Sequence, residues 1–154
     1  MKKLHSACIA LFIVFAAQAQ TITMQTLVGS WVPAQIIMNG TTVDLEKNQV
    51  TLSADMVNDL KDTDQDEATV KAALLEEFSG FKDIFTVKFE TGIINRFEDG
   101  ATVAAPITII EENGKQFLYI DKKEKNFIAL QNGMLVLSPS AEAADEFKII
   151  LRKQ

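Results

Sequence analysis

The chain has 154 residues, a length that suits a single globular domain. Hydrophobic residues make up 47% of it and charged residues 23%, which is the balance of a folded protein and not of a disordered one. Lys and Arg number 15 against 21 Asp and Glu, so the net charge is −6. Nucleic acids and anionic membranes attract basic surfaces, and the composition therefore argues against both as partners.

The first residues have the pattern of a secretory signal peptide. Met1-Lys2-Lys3 gives a positive start, residues 9–17 are apolar, and Ala17-Gln18-Ala19 places small residues before a cleavage site. The apolar run is too short to cross about 30 Å of hydrocarbon, which takes about 20 residues. We therefore expect residues 1–19 to be a signal peptide, with an exported product that has no membrane span and is periplasmic or secreted.

The product of this cleavage, residues 20–154, is predicted to be one domain with few reactive side chains. His5 and Cys8 are the single histidine and cysteine of the chain, and both would leave with the signal peptide. Losing Lys2 and Lys3 as well changes the net charge to −8. A disulfide, a zinc site built on His or Cys, and a Ser–His or Cys–His catalytic pair are then excluded. We expect no enzyme activity, no metal site and no cofactor.

The first strands are predicted as a hairpin. Residues 28–38 have the pattern of one strand, Asn39-Gly40 is a two-residue turn signal, and residues 41–45 return as a short second strand. Pro33 has no N–H to donate to a ladder, so we expect a β-bulge or an edge position there.

A helical insertion is predicted over about residues 53–80. Ser53 suits the N-cap of a short helix that runs through Lys61. A second, amphipathic helix of about 14 residues is predicted to end near Gly80. Its apolar face recurs at spacings of four, four and three: Val70, Leu74, Phe78 and Phe81.

An acidic run separates the two predicted helices. Asp62, Asp64 and Asp66 imitate the start of a calcium-binding loop. Glu67 and Ala73, however, stand where that loop requires a Gly and a bidentate Glu. We interpret the run as the solvated start of the second helix, where acidic side chains favour the helix dipole.

From Ile84 onward the apolar pattern has period two, which is typical of β-strands. Pro106 is predicted to break the longest of these strands into two pieces. The segments follow one another at intervals that suit tight turns: residues 84–90, 93–98, 102–111, 116–121, 126–130, 134–138 and 147–153. The connection 139–145 is longer and has room for a helical turn. An all-β meander of this length predicts an antiparallel up-and-down barrel of eight to ten strands, because closure removes exposed edges.

Gly29-Ser30-Trp31 at the start of the first strand resembles the opening motif of lipocalins and of the wider lipocalin-like (calycin) group. Within that group the chain is most similar to the small lipocalin-like proteins that bacteria export. The resemblance implies that Trp31 closes the base of the barrel and that an Arg of the last strand packs across its ring. Arg152 is the residue that would play this part, through a cation–π contact. Two features depart from the group: no Thr-Asp-Tyr motif is present, and the helices interrupt the early strands instead of following the barrel.

The barrel interior offers candidate ligand contacts. Phe85, Val87 and Phe89 alternate with polar residues and are predicted to line the interior. Asn95 shares a strand face with Ile93 and Phe97, so it would point inward, either as a satisfied core amide or as a ligand contact. Tyr119, the single tyrosine, carries the same ambiguity between core and ligand. Arg96 is interpreted as a surface residue.

Three functions remain open on this pattern. The preferred one is non-enzymatic binding of a small hydrophobic molecule, such as a lipid, inside the barrel. The alternative is a protein-interaction module with a packed core, because residues 117–120, 127–130 and 134–137 are apolar on both strand faces. Either the helix stripe or the partner subunit of a homodimer would have to cover these strands. A carboxylate-only hydrolase is the least favoured, since the neighbours in Glu76-Glu77 and Glu111-Glu112 do not face each other.

Overall fold

The computed structural model describes residues 21–154. Four short α-helices, ten strands and one turn of 3-10 helix make up this part of the chain. They follow one another as α1 Met24–Leu27, β1 Gly29–Met38, β2 Thr41–Asp44, β3 Gln49–Thr51, α2 Ala54–Leu60, α3 Glu67–Phe78, α4 Phe81–Ile84, β4 Val87–Glu90, β5 Ile93–Glu98, β6 Ala101–Glu112, β7 Lys115–Ile120, β8 Glu124–Gln131, β9 Met134–Ser138, the 3-10 turn Ala143–Asp145, and β10 Phe147–Lys153.

Eight of the strands close into an antiparallel barrel. Strands β4 to β10 form a meander in chain order, and β1 joins its two ends by pairing with both β4 and β10. The two extra strands, β2 and β3, extend the sheet from the second half of β1. The predicted all-β barrel with an early helical insertion is confirmed, and an eight-stranded antiparallel barrel is compatible with a lipocalin-like fold.

Strand β1 changes partner on one of its sides midway along its length. Its first half, Gly29 to Trp31, pairs with β4, while its second half, from Gln35, pairs with β2. The register with β10 shifts between Pro33 and Gln35, which is the β-bulge predicted from the proline. This bulge lets one strand close the barrel at one end and leave it at the other.

Asn-Gly and Asp-Gly turns set the register of the meander. Asn39 and Gly40 both have positive φ, 47° and 79°, as the two central residues of a type I′ turn require. The same pair of positive angles occurs at three later hairpins, Asp99-Gly100, Asn113-Gly114 and Asn132-Gly133. Local turn chemistry therefore accounts for four of the connections between neighbouring strands.

The prediction that Pro106 breaks its strand was wrong. Strand β6 runs without interruption, but it changes partner at this residue: residues 101–106 pair with β5, and residues 107–112 pair with β7. The carbonyl of Pro106 still accepts a hydrogen bond from Asp121, so the missing N–H is tolerated where the partners change.

The end of the barrel that holds the Asn113-Gly114 and Asn132-Gly133 turns is its closed base. Residues 21–27, including the unpredicted helix α1, lie across this end, and Ile22 and Leu27 are buried with the main hydrophobic core. The Gln116 side chain pins the segment by accepting from Ile22 N and donating to Ile22 O, at 2.7 and 2.9 Å.

The helical insertion packs beside the barrel. Ser53 caps α2, as the sequence predicts, and Asp66 in the acidic run caps α3. Helix α3 buries Phe78 against Ile36 of β1 and Val43 of β2. The predicted second helix is split into α3 and α4 at Ser79-Gly80, and the short strand β3 was not predicted.

Candidate functional site

A cavity of about 380 Å³ opens at the end of the barrel opposite the base. Its deeper wall is apolar and includes Ile94, Leu118, Ile120 and Ile149, all of which belong to the buried core. Helix α4 and the residue after it, Phe85, stand at the rim. The volume lies within the range of about 300–1,000 Å³ that is usual for small-molecule sites.

Strand alternation brings polar side chains onto the same interior surface near the mouth. On β5, Arg96 follows Ile94 with the period of two that places both on one face. On β8, Asn126 and Glu124 pair with Leu118 and Ile120 of β7, whose side chains are buried in the core. The cavity is therefore apolar at depth and polar at the entrance.

The polar residues at the mouth form one hydrogen-bonded cluster. Arg96 donates from Nη1 to Glu124 Oε2 at 2.7 Å and from Nε to Glu98 Oε2 at 3.3 Å. Asn126 Nδ2 donates to the other oxygen of Glu124, Oε1, at 3.0 Å. We call Arg96, Glu98, Glu124 and Asn126 the mouth cluster.

Hydrogen bonds within the mouth cluster stabilise the charged forms of Glu124 and Arg96. Partial burial alone raises the pKa of Glu124, but the hydrogen bonds from Arg96 and Asn126 outweigh it and hold that pKa below its ordinary value. The hydrogen bond to Glu124 raises the pKa of Arg96. One positive and two negative charges thus stand at the entrance, with a net charge of −1.

Of the three residues predicted to line the barrel interior, Phe85, Val87 and Phe89, two reach the cavity. Phe85 and Val87 contribute to its wall, and Phe85 also stacks on Phe81 with ring centroids 4.8 Å apart. Phe89 faces inward too, but it is 1% exposed and lies within the main core.

Asn95 faces outward, so its predicted inward orientation was wrong. Its cross-strand neighbour is Lys88, whose side chain is exposed, and Asn95 Nδ2 lies 3.5 Å from Lys88 O. Ile93 and Phe97, on the same face, are 38% and 45% exposed. Both faces of β5 carry apolar residues, so the alternation did not show which face is inward. The face of Ile93 and Phe97 was predicted to be inward, whereas the inward face is that of Ile94.

Tyr119 also lies on the outer face of the barrel. The buried neighbours Leu118 and Ile120 face inward, while Tyr119 and Phe117 face the opposite way. The ammonium group of Lys125 lies 5.7 Å from the Tyr119 ring centroid and 4.2 Å from that of Phe117. The structure therefore does not bring Tyr119 to the cavity.

The base of the barrel contains Gly29 and Trp31, but Lys153 takes the place predicted for Arg152. Lys153 is the cross-strand partner of Trp31, and its Nζ lies 5.4 Å from a Trp31 ring centroid. Arg152 points to the other face of β10 and forms an ion pair with Glu46. Gly29 has a φ of 131°, and a Cβ there would stand 2.7 Å from Lys153 Cε.

Sequence reasoning missed the whole mouth cluster. Arg96, interpreted as a surface residue, shares the inward face of β5 with Ile94. The available signal was the period of two along β5, which places Arg96 and Glu98 on the same face as the buried Ile94. Glu124 and Asn126 carry no local signal, because only barrel closure brings β5 and β8 to the same entrance.

The helix stripe, one of the two covers considered for the apolar outer face of β7 to β9, does not lie over these strands. Helix α3 packs on β2 and β3 instead. Residues 139–146 turn back along the barrel wall, where Glu142 forms an ion pair with Lys115 at 3.8 Å, and the 3-10 turn packs on β9 and β10. Phe117 and Val136, on this outer face, are only 8% and 3% exposed.

Within residues 21–154, no group of three or more His, Cys, Asp or Glu side chains is arranged to hold a metal ion. The same residues contain no helix with the length and apolarity needed to cross a membrane. The predicted signal peptide, residues 1–19, lies outside the described part of the chain.

Comparison with known proteins gives no relative from which a function could be transferred. No family model, curated protein or solved structure matches the chain.

Proposed function

We propose that this protein binds one small, largely apolar molecule in the barrel cavity and performs no chemistry on it. The observation that carries the proposal is the 380 Å³ cavity with apolar walls and a polar mouth, set in a barrel that is packed solid at its base. Such a site takes up an apolar body and orients it through a few polar groups at the entrance.

Burial supplies the affinity in this proposal. Each 100 Å² of apolar ligand surface removed from water contributes about 2.5 kcal/mol, before the cost of immobilising the ligand. The described residues supply no His or Cys, and the carboxylates Glu98 and Glu124 are both held by Arg96. This arrangement favours a binding role over acid–base catalysis, since neither carboxylate is free of its cationic partner.

The proposal includes export, which rests on the signal-peptide pattern of residues 1–19. A carrier of an apolar molecule would then act in the periplasm or outside the cell. The export proposal is supported if protein from the exported fraction has the intact mass of a chain that begins at Gln20. The proposal is contradicted if the protein in that fraction has the mass of the uncleaved chain, which begins at Met1.

Fluorescence titration with the uncharged dye N-phenyl-1-naphthylamine tests the binding proposal. We expect saturable binding at one site. Val87→Phe and Leu137→Phe fill the cavity and should each weaken dye binding at least about tenfold. Thr108→Phe adds the same bulk on the exposed outer face of β6 and is the matched control, with dye affinity unchanged. Absence of saturable binding, or equal affinity in both folded filled variants and the wild type, contradicts the proposal.

Native mass spectrometry of protein purified without detergent gives an independent readout. A retained apolar molecule at near-unit stoichiometry supports the carrier function and identifies the ligand class. The interaction-module alternative has weaker support, because residues 139–146 already cover the outer wall that motivated it. A stable homodimer in light scattering, together with no dye binding, would favour that alternative.

A further inference from the structure

The charges at the cavity mouth restrict what the polar end of a ligand can be. Arg96 is the one cation of the mouth cluster, and it faces the two carboxylates of Glu98 and Glu124. Asp121 and Lys123 form an ion pair beside the mouth cluster. The mouth cluster itself carries a net charge of −1.

An anionic head group is disfavoured at this position. To reach the Arg96 guanidinium it would have to displace Glu124 or Glu98, or lie beside both of them. Electrostatic interactions are strengthened next to the apolar wall of Ile94 and Ile120, because the local dielectric is lower than in water. Repulsion from two carboxylates then outweighs attraction to a cation whose charge they already neutralise.

The same two carboxylates offer unused capacity to accept hydrogen bonds. An ionised carboxylate has about four lone-pair sites. Glu124 uses two sites for Arg96 and Asn126, and Glu98 uses one for Arg96. A hydroxyl or ammonium group at the mouth can donate to the remaining positions without breaking the mouth cluster.

We propose that the ligand is an amphiphile whose polar end is uncharged or cationic and carries hydrogen-bond donors, such as a hydroxyl or amine, in preference to a fatty acid or another anion. This inference rests on the proposed binding function and specifies its ligand class. Glu98 and Glu124 select the head group, and the apolar wall holds the tail.

Displacement of the dye by decanol, decylamine and decanoate at neutral pH tests this inference with one tail and three head groups. We expect decanol and decylamine to bind the wild type at least about tenfold more tightly than decanoate, a difference of about 1.4 kcal/mol. The double variant Glu98→Gln with Glu124→Gln changes the mouth charge from −1 to +1. It should improve decanoate binding about tenfold and weaken decylamine binding.

A matched control separates the local effect from overall charge. Glu67→Gln with Glu90→Gln makes the same change in net charge on exposed ion-paired residues away from the mouth, and should leave the order of the three compounds unchanged. If decanoate binds as tightly as decanol, and the dye by itself still binds at one site that Val87→Phe and Leu137→Phe weaken, the head-group inference is wrong and the binding function stands. Failure of the dye to bind, or to respond to Val87→Phe and Leu137→Phe, overturns both.

Discussion

Trp31, the single tryptophan of the chain, lies at the closed end of the barrel. A backbone carbonyl and a lysine side chain hold its ring there. It is 2% exposed, its Nε1 donates to Leu27 O at 2.7 Å, and Lys153 lies over its ring. Lys153 Nζ also donates to Thr26 O at 3.2 Å, which ties β10 to the segment that closes the base. One lysine thus connects three parts of the base.

We predict that Lys153→Ala destabilises the protein by about 1–2 kcal/mol, through loss of the cation–π contact and of the hydrogen bond. Arg152→Ala removes an exposed ion pair and should cost about 0.2–1 kcal/mol. Urea unfolding gives both values, and Trp31 fluorescence should shift in the Lys153 variant alone. Equal losses of unfolding free energy in the two variants, or a fluorescence shift in the Arg152 variant, would show that Arg152 and not Lys153 contacts the Trp31 ring.

Asp44 organises the turn between β2 and β3 with four hydrogen bonds. It accepts from the backbone N–H of Glu46 and Lys47, from Lys47 Nζ and from Gln35 Nε2, at 2.9 to 3.1 Å. Burial by itself raises the pKa of Asp44, but these hydrogen bonds outweigh it, and the pKa lies below its ordinary value of 3.8.

We predict that Asp44→Asn costs about 1–3 kcal/mol at neutral pH, because the amide cannot accept all four hydrogen bonds. A depressed folded-state pKa stabilises the protein above the unfolded pKa of about 3.9, and this contribution is lost as the pH falls through the folded value. The stability difference between wild type and variant should therefore shrink below about pH 4. Asp59→Asn, an exposed control on α2, should change the free energy of unfolding little at neutral pH. A pH-independent difference for Asp44→Asn would contradict the argument.

At the scale of elements, the segment 21–27 behaves as a plug for the barrel base. It contributes the buried side chains of Ile22 and Leu27, and Gln116 satisfies both backbone polar groups of Ile22. A buried peptide group without partners costs about 1–3 kcal/mol, so the Gln116 side chain holds the plug in one position.

We predict that Gln116→Ala destabilises the protein by about 1–3 kcal/mol and makes the bonds around residues 21–27 easier to cleave by a protease. Denaturant unfolding and limited proteolysis measure the two effects. Gln131→Ala changes an exposed glutamine near the same end and should leave both unchanged. Unaltered proteolysis of the Gln116 variant would show that burial alone holds the plug.

At the scale of the whole molecule, strand pairing is unevenly distributed within the barrel. Residues 149–151 pair with β9 on one side and β1 on the other, and Ile149 and Leu151 are buried. Within the described part of the chain, residues 101–105 pair with β5 alone and have no ladder partner on the side of β7. The hairpin at the mouth is therefore the weaker part of the barrel.

We predict that amides in residues 101–105 exchange with solvent at least about 100-fold faster than those in residues 149–151. The slow amides should open only with global unfolding, at about 5–15 kcal/mol, whereas the mouth hairpin opens locally. Hydrogen exchange measured by NMR resolves the two groups. Equal protection in both would mean that the barrel opens as one unit.

Sequence patterns predicted the elements of this fold better than the faces of its strands. Asn39-Gly40 and the other two-residue turns specify their own backbone angles, so hairpins and strand order follow from neighbouring residues. Side-chain direction on β5 and β7 did not follow, because apolar residues occupy both faces of these strands. Asn95 and Tyr119 were misplaced for that reason, and Arg96 was taken for a surface residue.

The sequence by itself determined an antiparallel meander with a bulge at Pro33, an early helical insertion and a buried Trp31, since each depends on local conformation or on apolar periodicity. Tertiary structure alone decided that Lys153 and not Arg152 reaches Trp31, that residues 139–146 cover the outer wall, and that Arg96, Glu98 and Glu124 meet at a cavity. These contacts join residues far apart in the chain, and they depend on the register at which the barrel closes, which no local pattern encodes.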